Sequence, residues 1–231
     1  MTLEKLGSTL DGSHTLTEFN KLIRVERCTD MLETFNSRIT KANLITIDEK
    51  WFYCRKLRPR NVIGAWLGPD GDTNILQTAR RSNMETKFMA IVVVSLKGHH
   101  FFKVLGKNES IDSNSYINFL REMGYHLRHQ SNPICFENMA LIQDNARPHV
   151  SKATTEFLNS KGVKLIKQPP YSPDCNLCDR FVFPRLESLR KRCDFTGKED
   201  LETFLEQAMP SFTQQKMERE PSTKWSVTSN L

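Results

Sequence analysis

Two hydrophobic rhythms alternate along this chain. One recurs near every 3.6 residues and marks helices; the other is a short β-branched run and marks strands. Leu16, Phe19, Leu22 and Ile23 recur at helical spacing, and Thr15-Leu-Thr-Glu18 reads as the capping box of that helix. A second helical stretch carries Met31, Leu32 and Phe35. Leu44–Asp48 is apolar and isoleucine-rich, which predicts a short buried strand, and Trp51-Phe-Tyr continues beyond it. Lys87 to Ser95 is the strongest strand signal, Lys97-Gly98 marks a turn, and His100–Leu105 returns as the hairpin partner. Ser113 to His129 predicts a helix with Tyr116, Phe119, Leu120, Met123 and Leu127 on one face. Then come a strand over Met139–Ile142 and a helix from Pro148 to Lys161. Its stripe is Val150, Ala153, Phe157 and Leu158, and Gly162 is its C-cap. Val163–Ile166 is a fifth strand. After the rigid loop Pro169-Pro-Tyr-Ser-Pro173, Asp179 to Arg192 reads as a helix. It turns Phe181, Phe183, Leu186 and Leu189 inward and Arg185, Arg190, Lys191 and Arg192 outward. Lys198–Met209 is the last clear helix.

Strand, hairpin, helix, strand, helix, strand, helix is the order of an α/β fold: a five-stranded sheet with helices packed on its faces. In such sheets the ends of adjacent central strands converge near one point. Three acids stand where that matters. Asp48 closes Asn43-Leu-Ile-Thr-Ile-Asp48, Asp144 closes Met139-Ala-Leu-Ile-Gln-Asp144, and Asp179 follows the proline-rich loop. A carboxylate at the end of an apolar strand is costly unless it binds something positive. Three of them together can share a pair of Mg²⁺ ions, the arrangement that cuts and joins phosphodiesters. Each also has an ordinary role: Asp48 as a strand-end turn former, Asp144 and Asp179 as helix caps. Asp174, in a Ser-Pro-Asp turn, reads as a turn former rather than the third acid.

Composition narrows the partners. The 231 residues suffice for one large domain with attachments. The net charge of +6 suits a polyanion without requiring one. No apolar window approaches the roughly 18 residues of a membrane span, and the first residues have no apolar signal core, so neither membrane nor secretion is expected. The six cysteines are too scattered for a disulfide scaffold. Cys175-Asn-Leu-Cys178 has zinc-knuckle spacing but no second close pair to complete four ligands.

At the acids the chain resembles the catalytic domain of mariner-type transposases. Thr46-Ile-Asp-Glu-Lys-Trp-Phe52 is similar to that family's first acidic motif. Gln143-Asp-Asn-Ala-Arg-Pro-His149 is similar to the second, with Gln143 where a histidine is common. Pro169-Pro-Tyr-Ser-Pro-Asp174 resembles the loop leading to the third, and Asp179 stands where the third acid is expected. Between Asp144 and Asp179 lie 34 residues, the interval typical of mariners. The resemblance runs from Leu16 to Met209.

It implies a ribonuclease-H-like fold: a five-stranded mixed sheet flanked by helices, with an inserted clamp-like arm. Residues 1–42 would be a helical linker remnant, 43–209 the catalytic domain with the arm at 55–82 around Trp66, and 210–231 a poorly patterned tail. Asp48, Asp144 and Asp179 would hold two Mg²⁺ or Mn²⁺ ions for DNA strand cleavage and strand transfer. Lys50, Arg147 and His149 are the candidate DNA contacts, with loop hydrogen bonding an equal alternative for Arg147 and His149. The arm implies a homodimer, and a DNA-acting enzyme of this kind implies the nucleus. Paired helix-turn-helix modules precede this domain in the family and are not seen before Leu44, so a truncated copy without recognition of transposon ends is expected. Two other readings stand beside the enzyme: an inactive remnant that binds nucleic acid without sequence preference, and a self-association module built on the arm.

Overall fold

The computed structural model describes residues 16–37, 42–54, 86–107, 109–190 and 194–212. The expected arm, the first residues and most of the tail lie outside them. Five strands form one mixed sheet: β1 (Leu44–Tyr53), β2 (Lys87–Ser95), β3 (His100–Val104), β4 (Ala140–Gln143) and β5 (Lys164–Lys167). Their order across the sheet is β3-β2-β1-β4-β5. β1–β2 and β2–β3 are antiparallel; β1–β4 and β4–β5 are parallel.

Among the described residues six α-helices accompany the sheet: α1 (Glu18–Asn36), α2 (Ser113–Arg128), α3 (Arg147–Val150), α4 (Lys152–Ser160), α5 (Phe183–Arg190) and α6 (Lys198–Ala208). Side chains alternate across a strand, so β1 feeds two cores. Ile45 and Ile47 pack with Ile91 and Val93 against Tyr116, Phe119, Leu120 and Met123 of α2 and Leu158 of α4. On the other face, Phe52, Val92 and Val94 meet Cys178, Val182, Phe183 and Leu186, with Leu201 and Leu205 of α6 behind them. Met31 anchors α1 on a third cluster with Leu44, Ile142, Ile166 and Cys175. The start of α2 is secured by a reciprocal cap, Ser115 N–H to Asp112 Oδ1 at 2.7 Å and Asp112 N–H to Ser115 Oγ at 2.9 Å.

Several expectations need correction. α1 is one helix, not two, and its N-cap is Thr17, which accepts from the Asn20 amide at 3.2 Å. Phe19 and Leu22, which recur at helical spacing, are each 70% exposed; Met31 and Cys28 pack in the cluster beside the sheet. β1 does not stop at Asp48. It stays paired with β2 through Tyr53, so Asp48 sits in mid-strand opposite Val92. The helix after Pro148 breaks at Ser151, which is extended and caps α4 through the Thr154 amide at 3.2 Å. The break shifts the helical phase, leaving Val150 and Ala153 exposed and burying Thr154 and Leu158. Arg190, read as outward, is buried: it donates to the carbonyls of Tyr53 at 2.7 Å and Cys54 at 2.9 Å and lies 4.2 Å over the Phe195 ring. Trp51 is 42% exposed, with the Lys87 ammonium 4.5 Å from its ring centre.

Candidate active site

β1 is longer than its parallel neighbour. Pairing with β4 ends at Thr46↔Ile142, while pairing with β2 continues. The notch beyond β4 is where Asp48 projects and where the chain leaves β4 through Asp144. This is the crevice at the carboxyl ends of parallel strands where α/β proteins commonly place a site. Asp179 reaches the same notch from the face on which Asp48 projects, where Cys178 and Val182 pack with Phe52 and Val92. It is the second residue of a π turn, Cys178–Val182, rather than the first of an α-helix. Such widened turns re-aim one side chain and recur at functional sites. Cys178 anchors the turn against the sheet: its Sγ lies 3.8 Å from the carbonyls of both Thr46 and Val92. Asp48, Asp144 and Asp179 thus line one open cavity of about 600 Å³, together with Asn145, Gln168 and Asn176.

The cavity concentrates negative charge. Burial, then the neighbouring Asp179 carboxylate, push Asp48 up to about 8 against a weaker opposing hydrogen bond from the Glu49 amide. Burial also raises Asp179, although Asp48 and Lys50 pull it back. The two carboxyls face each other and titrate as a pair. Asp144 behaves differently. Burial works to raise it, but His149 and the Ala146 amide outweigh burial and leave it below the usual carboxylate range.

His149 is 2% exposed and clamped between two acids. Its Nδ1 donates to Asp144 Oδ1 at 2.6 Å and its Nε2 to Glu49 Oε1 at 3.1 Å. Burial disfavours its charge, yet the two carboxylates prevail and raise it to about 9, an imidazolium at neutral pH. The ring packs on Tyr116 with centroids 4.2 Å apart. Gln143 completes the support: its amide donates to the His149 carbonyl at 3.0 Å and accepts from the Tyr116 hydroxyl at 2.7 Å. Ligand atoms of Glu49, Asp144 and His149 all lie within 4.8 Å of one another, and the imidazolium is the cation between the two acids.

The other singled-out residues take separate postures. Lys50 leans over the Phe52 and Phe183 rings and lies 3.9 Å from Glu187. Arg147 is exposed at the start of α3. Asp174 is held in a two-point fork by Arg24 of α1, which also donates to Ser172 Oγ at 2.6 Å. Cys175 and Cys178 diverge: the Cys175 thiol meets Cys28 at 3.8 Å, while Cys178 lies under the sheet. Glu49, Asn176 and Tyr116 serve the site without having been singled out for it. Glu49 had a faint signal, since strand alternation sends it to the face opposite Asp48, where α2 packs.

A family described as DDE superfamily endonuclease matches residues 43–202. Histone-lysine N-methyltransferase SETMAR of Homo sapiens is 28% identical over 200 residues, covering 86% of this chain and 28% of that protein. Mariner Mos1 transposase of Drosophila mauritiana is 21% identical over 197 residues, covering 84% of this chain and 55% of that protein. The chain therefore spans little more than half of one curated relative and under a third of the other. Among solved structures, the mariner Mos1 paired end complex with Mg superposes with a TM-score of 0.76 at 20% identity, covering 96% of this chain and 66% of that one. The fold is accordingly ribonuclease-H-like, a five-stranded mixed sheet flanked by helices. With the family match covering both β1 and the π turn, this chain belongs to the DDE superfamily endonucleases, as a catalytic domain of mariner transposase type.

Proposed function

We propose that this domain cleaves and rejoins DNA strands by two-metal phosphodiester chemistry, with Asp48, Asp144 and Asp179 as the ligands of two Mg²⁺ or Mn²⁺ ions. One observation carries the reading: three carboxylates from three separate elements line a single open cavity. The donor set fits such ions. It is all oxygen, which suits hard divalent cations, and it gathers charge that only a cation neutralises. Gln168 lines the same cavity, and its Oε1 is the one buried side-chain oxygen among the described residues without a partner, an acceptor suited to the water of a hydrated ion. Bound there, the ions supply Lewis acidity, activating the attacking water or 3′-hydroxyl and stabilising the leaving oxygen.

The protein's part is to hold and orient. His149 fixes one oxygen of Asp144, and Glu49 fixes His149, so Asp144 presents its carboxyl in one orientation. The Glu49 amide donates to Asp48 Oδ1 at 2.8 Å and fixes that carboxyl likewise. Arg147, exposed beside Asp144, is suited to a backbone phosphate of the scissile strand, and Lys50 to one beyond Asp179. His149 acts on DNA through Asp144. A DNA partner accords with a Mos1 transposase neighbour that is a paired-end complex with left transposon end. The same reading carries a nuclear location and a homodimer formed through residues 55–82.

The test is nicking of supercoiled DNA with Mg²⁺ or Mn²⁺ by the wild-type chain and by Asp144→Ala. Losing one carboxylate from a two-metal site removes several kcal/mol of transition-state stabilisation, at least about a hundredfold in rate. Full activity in Asp144→Ala overturns the proposal.

A further inference from the structure

We infer that Asn176 is a positioning residue that sets the Asp48 carboxylate and ties it to the turn bearing Asp179; the inference rests on the two-metal reading above. Asn176 is 1% exposed, yet it carries no charge and packs no large apolar surface. Its side chain is spent on two directed bonds. Nδ2 donates to Asp48 Oδ2 at 3.0 Å, and Oδ1 accepts from the Cys178 amide at 2.9 Å. Because a backbone N–H can only donate, the second bond fixes which end of the amide is oxygen. The NH₂ end is thereby committed to Asp48.

The residue is itself immobilised. Its N–H donates to the Pro173 carbonyl at 3.0 Å, and its own carbonyl accepts from Arg180 N–H at 3.0 Å. Arg180 follows Asp179 directly, so these bonds bracket the third acid. Asp48 meanwhile accepts from the Glu49 amide through Oδ1. With a donor on each oxygen, the carboxyl plane of Asp48 is defined by β1 on one side and by the Asp179 turn on the other. One side chain thus fixes the relative placement of two acids 131 positions apart in the chain, whose like charges would otherwise swing them away from each other once both are ionised.

Asparagine is the residue this geometry needs. Aspartate at neutral pH offers no donor and adds a fourth negative charge. Serine can still accept from the amide two residues on, as in an ordinary hydroxyl turn, but cannot also reach Asp48. Outer-shell partners of this kind commonly change metal affinity by roughly ten- to a hundredfold.

The experiment is calorimetric titration of metal-stripped protein with Mn²⁺, in wild type, Asn176→Ser and Asn176→Ala, at a temperature where circular dichroism shows the variants folded. Asn176→Ser keeps the turn and should bind Mn²⁺ roughly ten- to a hundredfold more weakly, with a melting temperature near wild type when metal-free. Wild-type affinity in folded Asn176→Ser overturns the inference while leaving the metal site standing. Loss of folding in Asn176→Ser also overturns it, because the side chain would then act as a turn former first. Absence of Mn²⁺ binding in wild type overturns the two-metal reading and takes this inference with it.

Discussion

Raising the pH of the metal-free protein should weaken it across a range where most proteins are indifferent. Two groups at the site cause this. Asp48 moves from 3.8 to about 8 on folding, and His149 from 6.5 to about 9. Both are raised, so the folded state retains protons that the unfolded chain gives up. The stability this provides is fully present below each unfolded value and is lost as pH climbs through the folded one. The windows overlap between pH 6.5 and 8. Each retained proton contributes about 1.4 kcal/mol per pH unit, and each group is half-titrated at one edge of the window, so the summed loss is about 3 kcal/mol. For a chain of this size that is a melting temperature lower by about 6–12 °C. The raised Asp179 works in the same direction. The assay is thermal unfolding in EDTA at half-unit pH steps from 6.5 to 8. Asp48→Asn should remove about half of the slope, and saturating Mn²⁺, which takes the place of the Asp48 proton, should remove at least that share. A melting temperature that is flat or rises with pH, or an unchanged slope in Asp48→Asn, refutes the reasoning.

Other substitutions probe the frame around the site. A Cβ added at Gly124 would lie 2.2 Å from the tip of the Phe136 ring, so Gly124→Ala should cost about 1–3 kcal/mol in urea unfolding, partly recovered by Phe136→Leu. Arg190→Met leaves the Tyr53 and Cys54 carbonyls without their guanidinium donor and should cost on the order of 3 kcal/mol; Lys at this position should rescue only part of it, because an ammonium has no flat face to lay on the Phe195 ring. Tyr116→Phe strands the buried Gln143 oxygen and should lower stability by about 1–3 kcal/mol, read as a shifted urea midpoint with an unchanged slope.

Much of this molecule was legible in its sequence. The five strands and the main helices follow from local periodicity, which depends on neighbours only a few residues away. The three aspartates stood out because each is a charge set beside an apolar run or a rigid loop, and they do share one cavity. What stayed hidden depended on partners far along the chain. Asp48 lies in mid-strand because β2 outlasts β4 as a neighbour of β1, and no property of residues 44–53 encodes the length of β4. Arg190 is buried because two carbonyls at the end of β1 and the Phe195 ring meet it there. Phe19 and Leu22 show the converse, since their spacing sets a face on the helix but not what that face meets.

The sequence by itself therefore determined most of the elements and the acidic character of the cavity, because both are written in residue identity and short-range spacing. Only the tertiary structure decided how that site is held: His149 between Asp144 and Glu49, Asn176 on Asp48, and a π turn presenting Asp179. The physical reason is that a directed hydrogen bond or a buried charge is set by the positions of both partners, and those positions exist only once the chain has folded.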